Sequence, residues 1–148
     1  MESLFTTGHD ALAARLRTLT ADTPPRWGKM DAAQMCSHCL HGLRVATGEL
    51  QARPLLLGRL FGRFARRVAL GDKPFGRNLP TGPDFRRREP LDFDAEQAAL
   101  LAALQRFHDL GPDGLGTARH PFFGPMTPDD WDLLMWKHLD HHLRQFGA

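Results

Sequence analysis

The sequence predicts an all-α fold, a four-helix bundle formed by a single domain over residues 1–148. Strand-like alternation is scarce, β-branched residues are few and tyrosine is absent. Two segments open with Asp followed three residues later by Gln, which is a signature of helix starts. An apolar content of 42% provides enough hydrophobic surface for such helices to share a core.

Four segments carry the helical pattern. The first covers residues 10–19 and presents leucines on one face. The second begins at the cap Asp31 and ends near Gly48. The third begins at Asp94, again with Gln three residues later, and stops at the Gly-Pro pair that starts at position 111.

The last helix has the clearest start. Thr127 is a favourable N-cap, Pro128 occupies the first helical position and two acidic residues follow in the first turn. This helix should continue to about Phe146. Of the three connections, only the one over residues 49–93 is long. A long crossover lets the second and third helices run parallel, so we expect the crossover of the bundle there.

Within this crossover, residues 54–70 form an amphipathic helical pattern. Its apolar face carries Leu57, Leu60, Phe61, Phe64 and Val68. Four arginines lie off that face. We expect the apolar face to pack on the bundle, and the following loop, rich in Pro, Gly and Arg, to return the chain to the bundle.

Charge is distributed unevenly, although the net charge is only +2. Residues 51–88 carry nine Arg and one Lys against Asp72 and Asp84, a local charge of +8. Residues 89–148 carry four basic and ten acidic residues, a local charge of −6. The basic segment is also typical of nucleic-acid or membrane-surface binding. However, sixteen Arg against three Lys indicate a compositional preference, so packing is favoured and nucleic acid is not an expected partner.

The sequence further predicts a cytoplasmic protein with no membrane span and no signal peptide, whose cysteines are reduced. Cys36 and Cys39 form a C-x-x-C pair inside the second helix, whereas redox pairs of this kind lie at a helix start. We expect Cys39 to pack in the core and Cys36 to lie nearer the outer side. His120, in the stretch HPFFG, is interpreted as a turn residue before the last helix.

Histidines concentrate in the stretch WKHLDHHLRQF near the end of the last helix. His138 and His142 are one turn apart, and both fall on the apolar side of the helix. Imidazoles at i and i+4 can chelate one cation from a single helix. A pair of buried, hydrogen-bonded histidines accounts for the same spacing.

A third histidine favours the metal site. His38 lies beside the apolar face of the second helix, and His41 is the alternative for its role. Three neutral imidazoles from two helices would form an open site for one divalent metal ion, Zn, Ni or Fe. His141 falls at the edge of the apolar stripe, and Gln145 lies one turn below His142, where it can orient a ligand ring.

The segment HPFFGPMTPDDWDLLMWKHLDHHLRQ resembles the C-terminal signature of the DinB/YfiT-like superfamily: H-P-x-x-G, a Thr helix start, a Trp and H-x-x-H-H-x-x-Q. The upstream RWGKMDAAQMCSHCLHGLRVATGEL resembles the matching second helix, and the DUF1569 family is the nearest branch. The resemblance implies a four-helix bundle with the long crossover, and a divalent metal held by His38, His138 and His142. Enzymes of this superfamily include S-transferases and isomerases that use low-molecular-weight thiols.

The predicted function is therefore that of a metal-dependent enzyme acting on a small-molecule substrate, of the thiol S-transferase or isomerase type. A metal-dependent hydrolase is an alternative, but Leu139 stands where zinc peptidases carry their general-base Glu, and Asp140 points away. A non-enzymatic metal-binding or stress-response protein is the other alternative. A homodimer is compatible with each of these functions.

Overall fold

A computed structural model describes residues 2–79, 89–116 and 118–148 of the chain. Over these ranges the chain forms five helices and a two-stranded sheet: α1 (Gly8–Leu16), α2 (Ala32–Ala46), α3 (Leu56–Ala69), α4 (Phe93–Gly114), β1 (Arg119–His120), β2 (Gly124–Pro125) and α5 (Pro128–Gln145). The fold is mostly helical, in agreement with the predicted all-α class. The last part of the Arg-rich loop, residues 80–88, lies outside the described residues.

Four of the helices pack on one another around a common core. α2 packs on α4 and α5, and α1 contacts the same two helices. The largest fully buried side chains of the core include Trp131, Phe107, Leu43, Leu100 and Leu104. In the described part of the chain, no helix combines the length and the apolar character that crossing a membrane requires.

The starts of α2 and α5 are those that the sequence predicts. The Asp31 carboxylate accepts from the backbone N–H of Gln34 at 2.7 Å, and the Gln34 side chain accepts from the N–H of Asp31 at 2.9 Å. Thr127 and Asp130 form the same reciprocal pair, and Pro128 follows the cap. These caps satisfy the free N–H groups at the starts of the two helices that carry the histidines.

The predicted start of α4 at Asp94 is wrong. The cap is Asp92, whose side chain accepts from the N–H of Ala95 at 2.8 Å. Gln97 was assigned to a capping box, but its amide donates instead to the carbonyl oxygen of Leu16 at 2.9 Å, at the end of α1. A tertiary contact thus uses the side chain that the local motif assigned to capping.

The ends of α1 and α4 also differ from the sequence pattern. α1 begins at Gly8 and ends at Leu16, so it lies two to three residues earlier than predicted. The predicted stop of α4 is a kink: Gly111 has φ 58° and ψ −175°. Helical conformation resumes after it, with Pro112 inside the helix, and continues to Gly114.

A tight turn between β1 and β2 leads into α5. His120 pairs with Gly124 across the sheet, and its Nδ1 accepts from the N–H groups of Phe122 and Phe123 at 3.1 and 3.0 Å. Burial lowers the pKa of His120 to about 4, so the ring keeps the lone pair that both hydrogen bonds need. The turn role predicted for His120 is confirmed.

α3 docks on this turn through its glycines. The carbonyl group of Phe122 lies so close to Gly58 and Gly62 that a Cβ atom at either position would collide with it. Only glycine permits the helix backbone to approach the turn to this distance. The small-residue edge of α3 is therefore the face that contacts the rest of the protein.

Two polar contacts hold α3 in this orientation. Arg66 forms an ion pair with Asp130 at the start of α5. Lys137 donates to the carbonyl oxygens of Ala69 and Gly71, each at 2.6 Å, at the end of α3. Burial lowers the pKa of Lys137. A cation there also interacts favourably with the negative end of the helix dipole.

The prediction that the apolar face of α3 packs on the bundle is wrong. The side chains of this face are exposed, and Leu60 and Phe64 retain 79% and 72% of their accessible surface. The physical reason is the glycine edge, because docking through Gly58 and Gly62 turns the apolar face away from the core.

Candidate metal centre

The structure brings His38, His138 and His142 together. One ring nitrogen of each lies within 4.8 Å of the corresponding nitrogens of the other two, a spacing that allows all three to bind one ion. The rings meet edge to face, with centroids 4.7 to 4.8 Å apart. The group contains only histidines, with neither a carboxylate nor a thiol among its members.

The contact between α2 and α5 positions these rings. His138 and His142 lie one turn apart on α5, and α2 brings His38 to them from the opposite side. Gly42 lies beside His138, where a Cβ would sit 3.5 Å from the Cε1 and Nδ1 atoms of the ring. Because Gly42 has no side chain, the imidazole of His138 fits between the two helices.

His41, the alternative to His38, does not belong to the group of three. It lines a surface cleft together with Ser37 and Arg44, on the side of α2 that faces α4. The 60° of helical rotation between His38 and His41 thus separates the cluster from the cleft.

Burial keeps the imidazoles of His138 and His142 neutral. Burial and the neighbouring His38 lower the pKa of His142 to about 3. The pKa of His138 lies well below its ordinary value of 6.5, first because of burial and then because of the other histidines. Neutral imidazole is the form that donates a lone pair to a metal, so this environment favours a ligand over a cationic side chain.

Gln145 fixes the orientation of His142. Its side-chain oxygen accepts from His142 Nδ1 at 2.7 Å, and its amide nitrogen donates to the carbonyl oxygen of Trp27 at 2.8 Å. Because an amide oxygen only accepts, the proton of His142 must be on Nδ1. The Nε2 lone pair is then available to a metal, as is usual for histidine ligands with an outer hydrogen-bond partner.

The hydrogen bonds of His138 are incomplete. Its Nε2 atom lies 2.8 Å from His38 Nε2, and one of the two rings donates in this contact. Its Nδ1 atom is buried, and no hydrogen-bond partner for it lies within the described ranges of the chain. Buried histidines that serve only packing usually have their ring nitrogens paired. The convergence of one ring nitrogen from each of three histidines is a donor set that fits one divalent cation.

His141 lies at the rim of the group. Its ring centroid is 5.8 Å from Trp27 and 6.0 Å from Phe75, and the Arg77 guanidinium lies 4.3 Å from the Trp27 ring centroid. Burial lowers the pKa of His141. The sequence pattern did not indicate these neighbours, because Phe75 and Arg77 belong to the crossover and Trp27 to a turn. The only feature of the local sequence that indicated a close contact at this turn was the glycine directly after Trp27.

The carboxylates of α5 have partners away from the histidines. Asp140 pairs with Arg15 at 2.8 Å and with Arg144 at 2.9 Å. Asp132 accepts from the backbone N–H of Leu4 at 2.7 Å. These contacts stabilise the packing of the N-terminal segment on α5 and leave neither carboxylate facing the cluster.

Cys36 differs from its prediction. It is fully buried, as is Cys39, and both are free thiols. Burial, with a smaller contribution from Glu96, raises the pKa of Cys36 to about 12. Burial raises the pKa of Cys39 well above 9.0. The expected outer position of Cys36 is wrong because α4 covers that side of α2.

The chain belongs to the DUF1569 family, whose model matches residues 1–148 and is described as a protein of unknown function. None of the curated proteins and none of the solved structures matches the chain. The match agrees with the DUF1569 part of the sequence resemblance. The family description assigns no activity, so the chemistry of the site has to be inferred from its residues.

Replacing Gly28 by Ala should weaken metal binding through Gln145. Gly28 has φ +83°, and a Cβ there would lie 2.5 Å from the Gln145 amide nitrogen. The flexible amide would shift and lose its contact with Trp27, so His142 would lose its fixed orientation. We expect a 10–100-fold loss of affinity, roughly the effect of removing an outer partner of a ligand, measured by competition with a chelating dye.

Gly48→Ala is the matched control, because Gly48 has φ +76° and a Cβ there would meet no atom within 4 Å. Both variants should lose about 1 kcal/mol of unfolding free energy from the positive φ angle. Equal metal affinity in the two variants would show that Gln145 does not position His142.

The cysteines should be unreactive in the folded protein. At pH 8 a thiol with a pKa of about 12 is almost entirely protonated. We expect iodoacetamide to label the folded protein at least about a hundredfold more slowly than the urea-unfolded protein. Below pH 9.0 the Cys36 thiol is protonated in both the folded and the unfolded protein, so it does not change the free energy of unfolding. As the pH rises above 9.0 the thiol ionises first in the unfolded protein, and the free energy of unfolding falls. Rapid labelling of Cys36 in the folded state would contradict its burial.

Proposed function

We propose that this DUF1569 protein binds one divalent metal ion, Zn, Ni or Fe, through His38, His138 and His142. We further propose that it is an enzyme that uses this ion to act on a small-molecule substrate. The proposal includes the four-helix bundle of the DinB/YfiT-like type, with its crossover between α2 and α4. The observation that supports it is the convergence of three imidazoles from two helices, with ligand atoms within 4.8 Å of one another.

The number of ligands favours catalysis over a structural role. Structural zinc sites are usually closed by four protein ligands, whereas catalytic sites use three and leave a position open. The group over the described residues contains three. An open position can take a substrate atom or water, which a closed site excludes. This distinguishes the proposed enzyme from a metal-binding protein without turnover.

The residues around the group indicate what the protein contributes to the reaction. His38, His138 and His142 would bind the ion, and Gln145 holds the His142 ring. A bound divalent ion lowers the pKa of a coordinated thiol or water. The aromatic rim formed by Trp27 and Phe75 would exclude bulk water from one side of the site.

The carboxylates of α5 favour thiol chemistry over hydrolysis. Leu139 occupies the position of the zinc-peptidase general base. Asp140 is engaged by Arg15 and Arg144. A hydrolase would have to borrow a base from elsewhere or rely on metal-bound hydroxide alone, whereas a coordinated thiol loses its proton outright and becomes the nucleophile. We therefore place a thiol-dependent S-transferase or isomerase, acting with a low-molecular-weight thiol, ahead of a hydrolase.

The metal ligands can be tested by replacing each histidine with alanine. Protein purified without chelator should contain about one equivalent of metal by mass spectrometry, and the His38, His138 and His142 variants should lose it. His41→Ala is the matched control, since it removes an imidazole from the same helix outside the group. Loss of metal from His41→Ala but not from His38→Ala would show that the assignment on α2 is wrong.

The reaction type can be tested with an electrophilic halo-aromatic substrate. Metal-loaded protein should form a thioether product only when a low-molecular-weight thiol is added, and chelation or His142→Ala should abolish turnover. Hydrolysis of esters or amides without any thiol, lost on chelation, would favour the hydrolase instead. Full metal binding with no turnover of either substrate class would support the non-enzymatic metal-binding alternative.

A further inference from the structure

The apolar face of α3 forms a continuous exposed surface, here called the α3 stripe. It consists of Leu57, Leu60, Phe61, Phe64 and Val68, all of which are more than half exposed. Leu56 and Leu79 are the only other exposed large apolar side chains among the described residues. Over the ranges that the structure describes, large exposed apolar side chains therefore occur only on α3 and at Leu79.

The stripe is too large to be incidental. Five Leu, Phe and Val side chains with these exposures present apolar surface on the order of 600 Å², at the upper end of what a monomer usually leaves uncovered. Burying it would remove one of the largest unfavourable contacts with water in the molecule. A patch at the upper end of this range is often a contact surface for a partner.

The way in which α3 docks keeps the stripe exposed. Gly58 and Gly62 face the turn at Phe122, and Phe64 lies roughly 120° around the helix from Gly58. The ion pair of Arg66 with the start of α5 and the hydrogen bonds of Lys137 to the C-terminal end of α3 fix this rotation. Rotating the stripe inward would require breaking these contacts and separating the glycines from the turn.

The charged side chains of α3 are all basic. Arg59, Arg63 and Arg67 are exposed on α3 off the stripe, and Arg67 lies nearest to it by helical rotation. α3 contains no acidic residue. Arg66, the remaining arginine of the helix, is already paired with Asp130. The occupant of this surface should therefore combine an apolar interior with negative charge at its edge.

A second copy of the chain fits this requirement poorly. In the described ranges, a copy has no exposed large apolar side chain away from α3 and Leu79, so it can cover the stripe only with its own stripe. That pairing would bring basic helices together with no acidic residue on either. An anionic bilayer provides acyl chains for the stripe and phosphate groups for the arginines.

We propose that α3 binds the surface of an anionic lipid bilayer. The helix lies in the plane of the membrane, with the stripe among the upper acyl chains and Arg59, Arg63 and Arg67 extended to the phosphates. With 14 residues, α3 is shorter than the ~20 residues of a spanning helix, so it lies on the bilayer instead of crossing it. This proposal is independent of the metal site.

Co-sedimentation with vesicles tests the proposal. The protein should bind vesicles of phosphatidylcholine containing about 30% phosphatidylglycerol, and bind pure phosphatidylcholine at least about tenfold more weakly. Leu60→Ser/Phe64→Ser should lower binding to the anionic vesicles by at least about tenfold, because it removes two of the most exposed apolar side chains. The conservative Leu60→Met/Phe64→Met variant should keep binding, since it preserves apolar area.

A second pair of variants tests the contribution of positive charge to vesicle binding. Arg63→Gln should weaken binding to anionic vesicles about fivefold and leave binding to neutral vesicles unchanged. Arg17→Gln removes an exposed arginine from the end of α1 and should change binding to neither kind of vesicle. All substitutions are at exposed positions, and circular dichroism checks that each variant keeps its helix content.

Other occupants give different results. A stable dimer that Leu60→Ser/Phe64→Ser converts to a monomer, without vesicle binding by either protein, would assign the stripe to self-association and overturn the proposal. Binding of single-stranded RNA that is lost in Arg63→Gln but kept in Leu60→Ser/Phe64→Ser would also overturn it, because the stripe would then have no role. Equal binding to neutral and anionic vesicles would contradict the role of the arginines.

Discussion

The convergence of three imidazoles between α2 and α5 is the constraint on which the candidate site depends. Buried histidines that cannot be protonated must obtain their polar contacts from one another, from fixed partners or from a cation. Here one ring pair shares a hydrogen bond, and Gln145 holds the third ring. His138 Nδ1 keeps no partner among the described residues. Three imidazoles that converge from two helices can share one divalent cation, and this convergence carries the functional proposal.

α5 connects this site to the rest of the protein. Asp132 accepts a hydrogen bond from the N-terminal segment, and Asp140 forms an ion pair with Arg15 of α1. Lys137 donates to a backbone carbonyl at the end of α3. Each of these contacts uses a polar side chain that is buried against a neighbouring element. The same helix presents His138 and His142 to α2. Displacement of α5 would therefore disturb the histidines and several tertiary contacts together, which makes the site sensitive to the packing of the whole protein.

α3 shows how a small residue can decide the role of a whole helix. Its amphipathic pattern is as regular as that of a core helix, and apolar area alone would place its stripe inward. Docking through Gly58 and Gly62 allows a backbone-to-backbone approach that a larger side chain would prevent. The basic side chains and the apolar stripe are consequently presented together on the surface. The proposed membrane contact would give a physical role to the basic segment, whose arginines the sequence pattern attributed to composition.

The sequence by itself determined the helical class, the caps at Asp31 and Thr127 and the placement of His138 and His142 on one face of the last helix. These depend on local hydrogen bonds and on the 3.6-residue period, which a short segment contains in full. Only the tertiary structure decided the contacts made by Gln97 and Gln145, the burial of Cys36 and the face through which α3 docks. A helical period shows that a helix has two unlike faces, but not what the remainder of the chain places against each. That choice depends on partners distant in sequence: the end of α1 for Gln97, the turn at Trp27 for Gln145, and the Phe122 carbonyl for α3.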